Sequence, residues 1–173
     1  MKIRIIFVLI TGLFFVTACE KLQEIFTTVS GKVYTNSCKV VLAVKGDGDL
    51  LDYLNEIDSL DNQSLGDPDY FRGFDIVIGS DSLYSITMFS FGSTYIVAIN
   101  DDGYLKNKLD TLDHIGFYGE LDTVTIDTLN IDTFFVFSKP GMINVESGVD
   151  QSNIDVENTI QFRWFKIIWQ MLP

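Results

Sequence analysis

Hydrophobic and polar positions alternate along most of this chain, and that pattern gives its elements. The clearest is Tyr95-Ile96-Val97-Ala98-Ile99, where every residue but Ala98 is aromatic or β-branched. Gly92-Ser93 precedes it and Asn100-Asp101-Asp102-Gly103 follows, as expected of a buried strand. The surrounding stretch Ser85–Gly119 reads as strand, tight Gly turn, strand, then a long acidic loop closing on a Gly-bracketed aromatic pair.

Earlier in the chain, Thr27–Tyr34 places Val29, Gly31 and Val33 on one side and Ser30, Lys32 and Tyr34 on the other, which predicts a half-buried strand. Thr35-Asn36-Ser37 is a short turn and Cys38–Lys45 a returning strand, so the two are expected to form a hairpin. Gly46-Asp47-Gly48 breaks the strand, and Asp49 is placed to cap a helix over Asp49–Leu60 whose apolar face is Leu50, Leu54 and Ile57. Asp61–Gly73, centred on Gly66-Asp67-Pro68-Asp69, reads as a surface loop.

Phe74–Ile78 is a further strand. Leu83–Met88 and Thr94–Ile99 are expected to pair across Phe89–Ser93, and Thr123–Ile126 and Ile131–Phe137 complete the set before Lys139-Pro140-Gly141. A Leu/Ile-Asp-Thr motif starts at Leu109, Leu121, Ile126 and Ile131. Its spacing is twelve, then five and five, and the odd offset puts Asp127 on the face opposite Asp122 and Asp132 of any continuous strand, which predicts a break near Asp127–Asn130 rather than a solenoid. Together these elements predict a mainly β protein: an antiparallel β-sandwich of about seven strands with one short inserted helix.

The tail admits two readings. Thr159-Ile160-Gln161-Phe162-Arg163-Trp164 alternates like a strand and resembles the early Phe-x-Trp strand of fibronectin type III-like modules, too near the end to be completed. Ile160, Trp164, Ile167, Ile168 and Met171 equally fit one face of a terminal helix.

With 173 residues, 47% of them hydrophobic, the chain suits one compact domain plus a tail. Its 24 acidic residues against 12 Lys and Arg give a formal charge of −12, which argues against nucleic acid or an anionic membrane as a partner of the protein body; divalent cations are the partner that charge would favour, while acidic surfaces mostly serve solubility.

The amino terminus changes the picture of where the protein works. Basic Met1-Lys2-Ile3-Arg4 and the apolar run Ile5–Val16 have the form of a secretory signal peptide, too short to span a bilayer comfortably. The run ends in Val16-Thr17-Ala18-Cys19, which resembles the lipobox of bacterial lipoproteins. That resemblance implies cleavage before Cys19, acylation of Cys19 by palmitate-like chains, and a cell-envelope protein anchored to a membrane, periplasmic or surface-exposed. Each buried methylene of such chains contributes about 0.8 kcal/mol, so two or three acyl chains anchor stably. The expected organisation is a signal peptide over 1–18, a lipidated tether over 19–26, a β-sandwich domain over 27–138 and a tail over 139–173. With Cys19 acylated, Cys38 lacks an intramolecular partner and is expected on a buried face as a small hydrophobe.

The order of V-S-G-K-V from Val29, K-V-V-L-A-V from Lys39, L-Y-S-I-T from Leu83 and G-S-T-Y-I-V-A-I from Gly92 resembles the carboxypeptidase regulatory-like domains. That family has a transthyretin-like (prealbumin-like) sandwich and serves as an accessory module, sometimes grouped with carbohydrate-binding folds. The resemblance implies a non-catalytic module that binds carbohydrate or another envelope protein, and the candidate stacking residues are Tyr70, Phe71, Phe117 and Tyr118, although loop aromatics such as Tyr70 and Phe71 are expected rather to fold back onto the nearest core than to form a binding lip. The connection over Asp49–Gly73 is longer than that family's.

Catalytic chemistry finds little support in the residues. His114 is the only histidine and no nucleophile elbow accompanies it. No Asp-Thr is followed by the Gly that aspartic peptidases need. Asn100, Asp101, Asp102, Asp110 and Asp113 around Gly103 are the candidate hard-cation ligands, for Ca²⁺, although the spacing is not that of an EF-hand.

Overall fold

The structure, a computed structural model, describes residues 26–34, 40–56, 71–77, 82–100, 109, 113–128 and 131–171. Among them are ten strands and two helices: β1 (Thr27–Lys32), β2 (Val40–Lys45), α1 (Leu50–Glu56), β3 (Phe71–Ile76), β4 (Leu83–Met88), β5 (Gly92–Asn100), β6 (His114–Tyr118), β7 (Leu121–Thr128), β8 (Ile131–Ser138), β9 (Met142–Val145), β10 (Val156–Gln161) and α2 (Phe162–Met171).

The protein is the mainly β, antiparallel sandwich that its alternation predicts, with more strands than the seven or so read from the sequence. The main sheet runs β10-β6-β5-β2-β3, and β9 continues along the β5 edge where β6 leaves it, because Val97–Asn100 pair with β6 and Gly92–Tyr95 with β9. A two-stranded ribbon, β1-β4, lies over one face of this sheet, and the β7-β8 hairpin is a separate pair.

Both faces of the main sheet are covered, which explains the unbroken apolar runs at its centre. In β2, Val41 and Ala43 face the ribbon, where they join Val29, Val33, Tyr84, Ile86, Met88, Ile96 and Ala98. Val40, Leu42 and Val44 face the other way, into a cluster with Val97, Ile99, Leu50 and Leu54 of the β5 and α1 segments, Phe137 of β8 and Phe162, Phe165 and Ile168 of α2. A strand buried on both sides has no use for alternation, whereas β4, with one wet face, buries every second residue.

The ribbon closes on the sheet along two seams. On the β10 side, the segment leading into β10 runs parallel to β1, with bridges Val29 to Gln151 and Val33 to Val156. Ser30 and Tyr34 amides donate to the Gln151 and Val156 carbonyls at 2.9 and 2.8 Å. Gly31 is required here: a Cβ on it would lie 2.2 Å from the Ile154 carbonyl oxygen. On the β3 side, the Ser85 amide donates to Asp75 Oδ2 at 2.7 Å, and a Cβ on Gly73 would lie 2.8 Å from Ile86 Cγ2.

Pairing differs from the expected hairpins. β1 pairs with β4 rather than β2, and β5 pairs with β2, β6 and β9 rather than β4. In each case the two strands expected to form a hairpin lie in different layers of the sandwich. Nor does the domain end at residue 138, since β9 and β10 are strands of the main sheet. The tail is therefore part of the sandwich and not a fragment of a second module. It combines both readings: strand to Gln161, helix from Phe162. The buried face of α2 is Phe162, Phe165 and Ile168, while Ile167 is 41% exposed, so the helix is rotated from the face the sequence suggested.

Asp49 caps α1 as expected, its Oδ1 accepting from the Leu51 amide at 2.8 Å and the Asp52 amide at 3.4 Å. The expected helical residues beyond Glu56 lie outside the described residues. β3 begins at Phe71, inside the stretch expected to be loop. β7 ends at Thr128 and β8 begins at Ile131, so Asp122 and Asp127 belong to one strand and the break expected near Asp127–Asn130 falls between the two strands.

Candidate functional site: a groove on the outer face of the ribbon

Alternation in the ribbon turns Val29, Val33, Tyr84 and Ile86 inward and leaves Ser30, Lys32, Leu83 and Ser85 facing solvent. Ser30 sits opposite Ser85 and Lys32 opposite Leu83. Two small hydroxyl residues between longer neighbours make a low floor. The 152–155 segment rises on the β1 side and Asp75 on the β4 side, and together they enclose an open groove of about 690 Å³. Tyr34, 58% exposed, and Leu83, 61% exposed, stand at one end.

The polar walls are held by the backbone. Asp155 Oδ1 accepts from the Lys32 amide at 2.8 Å, while its Oδ2 is 3.4 Å from the Tyr34 hydroxyl, which donates to it. Asp75 is fixed by the Ser85 amide in the same manner. Asn153, with φ of 61°, takes the left-handed conformation that asparagine tolerates, and its amide nitrogen donates to Ser152 Oγ at 3.4 Å. Lys32 Nζ lies 5.6 Å from the centre of the Tyr34 ring and carries the groove's one positive charge among its lining residues. Beneath the floor, the Tyr84 hydroxyl donates to the Ile154 carbonyl.

This arrangement offers hydroxyls, an amide, an ammonium and two fixed carboxylates along a shallow channel ending in an aromatic ring. It can accept and donate many hydrogen bonds to a polar solute. It does not bring the single histidine to a serine, because His114 is in β6 of the main sheet, opposite Asn100 and Gln161, while Ser30 and Ser85 are on the ribbon's outer face.

Three of the four candidate stacking residues are described, and two of them are buried. Phe71 and Phe117 are core residues, and the Phe117 ring packs 4.7 Å from that of Phe165. Tyr118 is half-buried against the inner cluster. Apolar rings at strand positions of a sheet covered on both faces are taken up by the core, so Phe71 and Phe117 present no free ring face. Tyr70 lies outside the described residues, as do Cys19, Cys38, Asp101, Asp102 and Asp110. Of the candidate cation ligands that are described, Asn100 ends β5 and Asp113, buried, immediately precedes β6. The Asp113 carbonyl accepts from the Phe162 amide at 2.7 Å. Among the described residues no group of three or more His, Cys, Asp or Glu side chains could hold a metal ion.

The groove was not visible as a motif. Ser30 and Lys32 read only as the polar face of a half-buried strand and Ser85 only as part of the strand Leu83–Met88, and Asp75 and Asp155 come from distant parts of the chain. No family model, curated protein or solved structure matches this chain.

Proposed function

We propose that this protein is an exported, lipid-anchored, non-catalytic binding module of the bacterial cell envelope, and that the ribbon groove takes a polyhydroxylated ligand of the carbohydrate class. The anchor reading rests on the lipobox-like Val16-Thr17-Ala18-Cys19. The ligand reading rests on one observation: fixed hydrogen-bonding groups converge on an open groove of about 690 Å³ beside an exposed tyrosine.

A sugar ring presents vicinal hydroxyls, each both donor and acceptor, and an apolar face. Asp75 and Asp155, already oriented by backbone amides, accept from hydroxyls without reorganising; Lys32 and Asn153 donate. Tyr34 and Leu83 supply an apolar surface at the groove end. Lys32 offsets one of the two carboxylates, which suits a neutral ligand, and the formal charge of −12 disfavours polyanions. The sandwich and the accessory role are those implied by the resemblance to carboxypeptidase regulatory-like domains, while the ligand-facing residues are different from those the resemblance suggested.

The test is a binding screen of the detergent-solubilised protein against neutral gluco-, manno- and galacto-configured oligosaccharides. Tyr34→Ala, at an exposed position, should leave melting unchanged and weaken binding by about tenfold, roughly 1.4 kcal/mol. Absence of binding throughout the panel, or binding indifferent to Tyr34→Ala, would count against the groove. Release of reducing ends would overturn the non-catalytic part.

A further inference from the structure

The sandwich has two ends, and the one opposite the Tyr34 end of the groove carries an apolar cap. Phe89, just after β4, is 68% exposed, and its ring meets that of Phe26 edge-on at 5.9 Å between centroids. Val149, 48% exposed, joins the same end. Thr27 fixes its place, accepting from the Val149 amide at 3.3 Å and donating through its hydroxyl to the Glu146 carbonyl. Phe26 is also where the chain from Cys19 enters the domain.

We propose that this end, through Phe26, Phe89 and Val149, rests on the surface of a zwitterionic phospholipid bilayer. The inference depends on the lipid-anchor reading. Fully extended, the stretch from Cys19 to Phe26 spans no more than about 25 Å at ~3.5 Å per residue, so an acylated Cys19 confines Phe26 to the neighbourhood of the membrane. Aromatic and aliphatic side chains held there gain by entering the headgroup boundary. The choice of lipid follows from charge. Glu146 and Asp150 are exposed on the same turn, with Asp150 Oδ1 accepting from the Thr28 amide at 2.8 Å and Glu146 Oε1 from Asn144 Nδ2 at 3.2 Å. Two carboxylates beside the cap repel an anionic surface and tolerate a zwitterionic one.

Seated this way, β1 rises from the membrane. Tyr34 then stands roughly 25 Å above Phe26, at ~3.3 Å per residue, and the groove opens along the ribbon away from the lipid. The same geometry that buries Phe89 presents the groove to solutes.

The acylated full-length protein, in phosphatidylcholine vesicles with and without brominated acyl chains, tests this. Phe89→Trp adds one fluorophore to the constant background of Trp164 and Trp169, and Leu83→Trp does so at the far end of the ribbon. Both positions are exposed, so neither variant disturbs the core. The added emission of Phe89→Trp should be quenched by brominated lipid several-fold more than that of Leu83→Trp, and less when anionic phosphatidylglycerol is included. Equal quenching of the two, in protein that floats with the vesicles, overturns the proposal while leaving the anchor intact. Protein that does not float overturns the anchor reading and the orientation with it. Protection of the Phe89→Trp fluorophore only as protein concentration rises would assign the cap to a second copy of the chain instead.

Discussion

Tyr84 and Ile154 are joined by a hydrogen bond from the tyrosine hydroxyl to the isoleucine carbonyl, which ties the inner face of β4 to the segment leading into β10. Tyr84 is 3% exposed, and burial, followed by the nearby Asp155 and Tyr118, pushes its phenol well above the ordinary value of 10.0. A folded-state value above the unfolded one favours the protonated form in the native protein. That contribution is complete below about pH 10 and is lost as pH climbs toward the folded value. Thermal melts from about pH 8 to 11.5 should therefore show stability falling above about pH 10. Tyr84→Phe should flatten that alkaline fall and cost roughly 1–3 kcal/mol at neutral pH, because the Ile154 carbonyl loses its partner.

The same carbonyl limits what can stand at position 31. A methyl on Gly31 would lie 2.2 Å from the Ile154 oxygen, a contact with backbone that cannot swing aside. Gly31→Ala should force the 151–156 segment from β1 and destabilise by roughly 1–3 kcal/mol or more in urea unfolding.

The rotation of α2 is open to a direct comparison. Phe165 is buried among Phe117, Phe162 and Trp169, with ring centroids 4.7, 6.2 and 5.5 Å away. Phe165→Ala should cost about 3–5 kcal/mol. Ile167→Ala, two residues on and 41% exposed, should stay within about 0.5 kcal/mol. Equal costs would mean that the helix presents the other face.

The strands and the Asp49 cap were legible because they depend on local alternation and one side-chain hydrogen bond. Tyr95–Ile99 could be read as a buried strand from its own composition, and Ile96–Ile99 are buried, with Tyr95 half-buried. Pairing was not legible in this way: β1 and β2 are neighbours in sequence with turn-forming residues between them, and nothing local says that Thr27–Lys32 will lie against Leu83–Met88 instead. Phe117 looked available for a ligand because sequence does not disclose that both faces of the main sheet are covered, whereas Phe71 packs into the core as expected of a loop aromatic that folds back. Phe162-Arg163-Trp164 fits strand and helix alike over so few residues, and the helix is the form in which Phe165 packs on Phe117 with Phe162 in the same cluster. The groove needs Ser30, Asp75, Ser85 and Asp155 brought together by two seams, a tertiary fact with no short-range signature.

The proposed anchor makes its own prediction. Replacing Cys19 by Ser should remove acylation and move the protein from the membrane to the aqueous phase in detergent partitioning, without changing its melting temperature. Retention of the variant in the detergent phase would contradict lipidation at Cys19 as the means of attachment.

The claim that the groove is a carbohydrate site is tested most directly by amide NMR of the detergent-solubilised protein titrated with an oligosaccharide selected from the screen. The account predicts saturable shifts concentrated at Ser30–Tyr34, Leu83–Ser85 and Ser152–Asp155, with Asn100 and His114 unmoved. Saturable shifts centred on Asn100 and His114 instead, or none on the ribbon at saturating sugar, would contradict it.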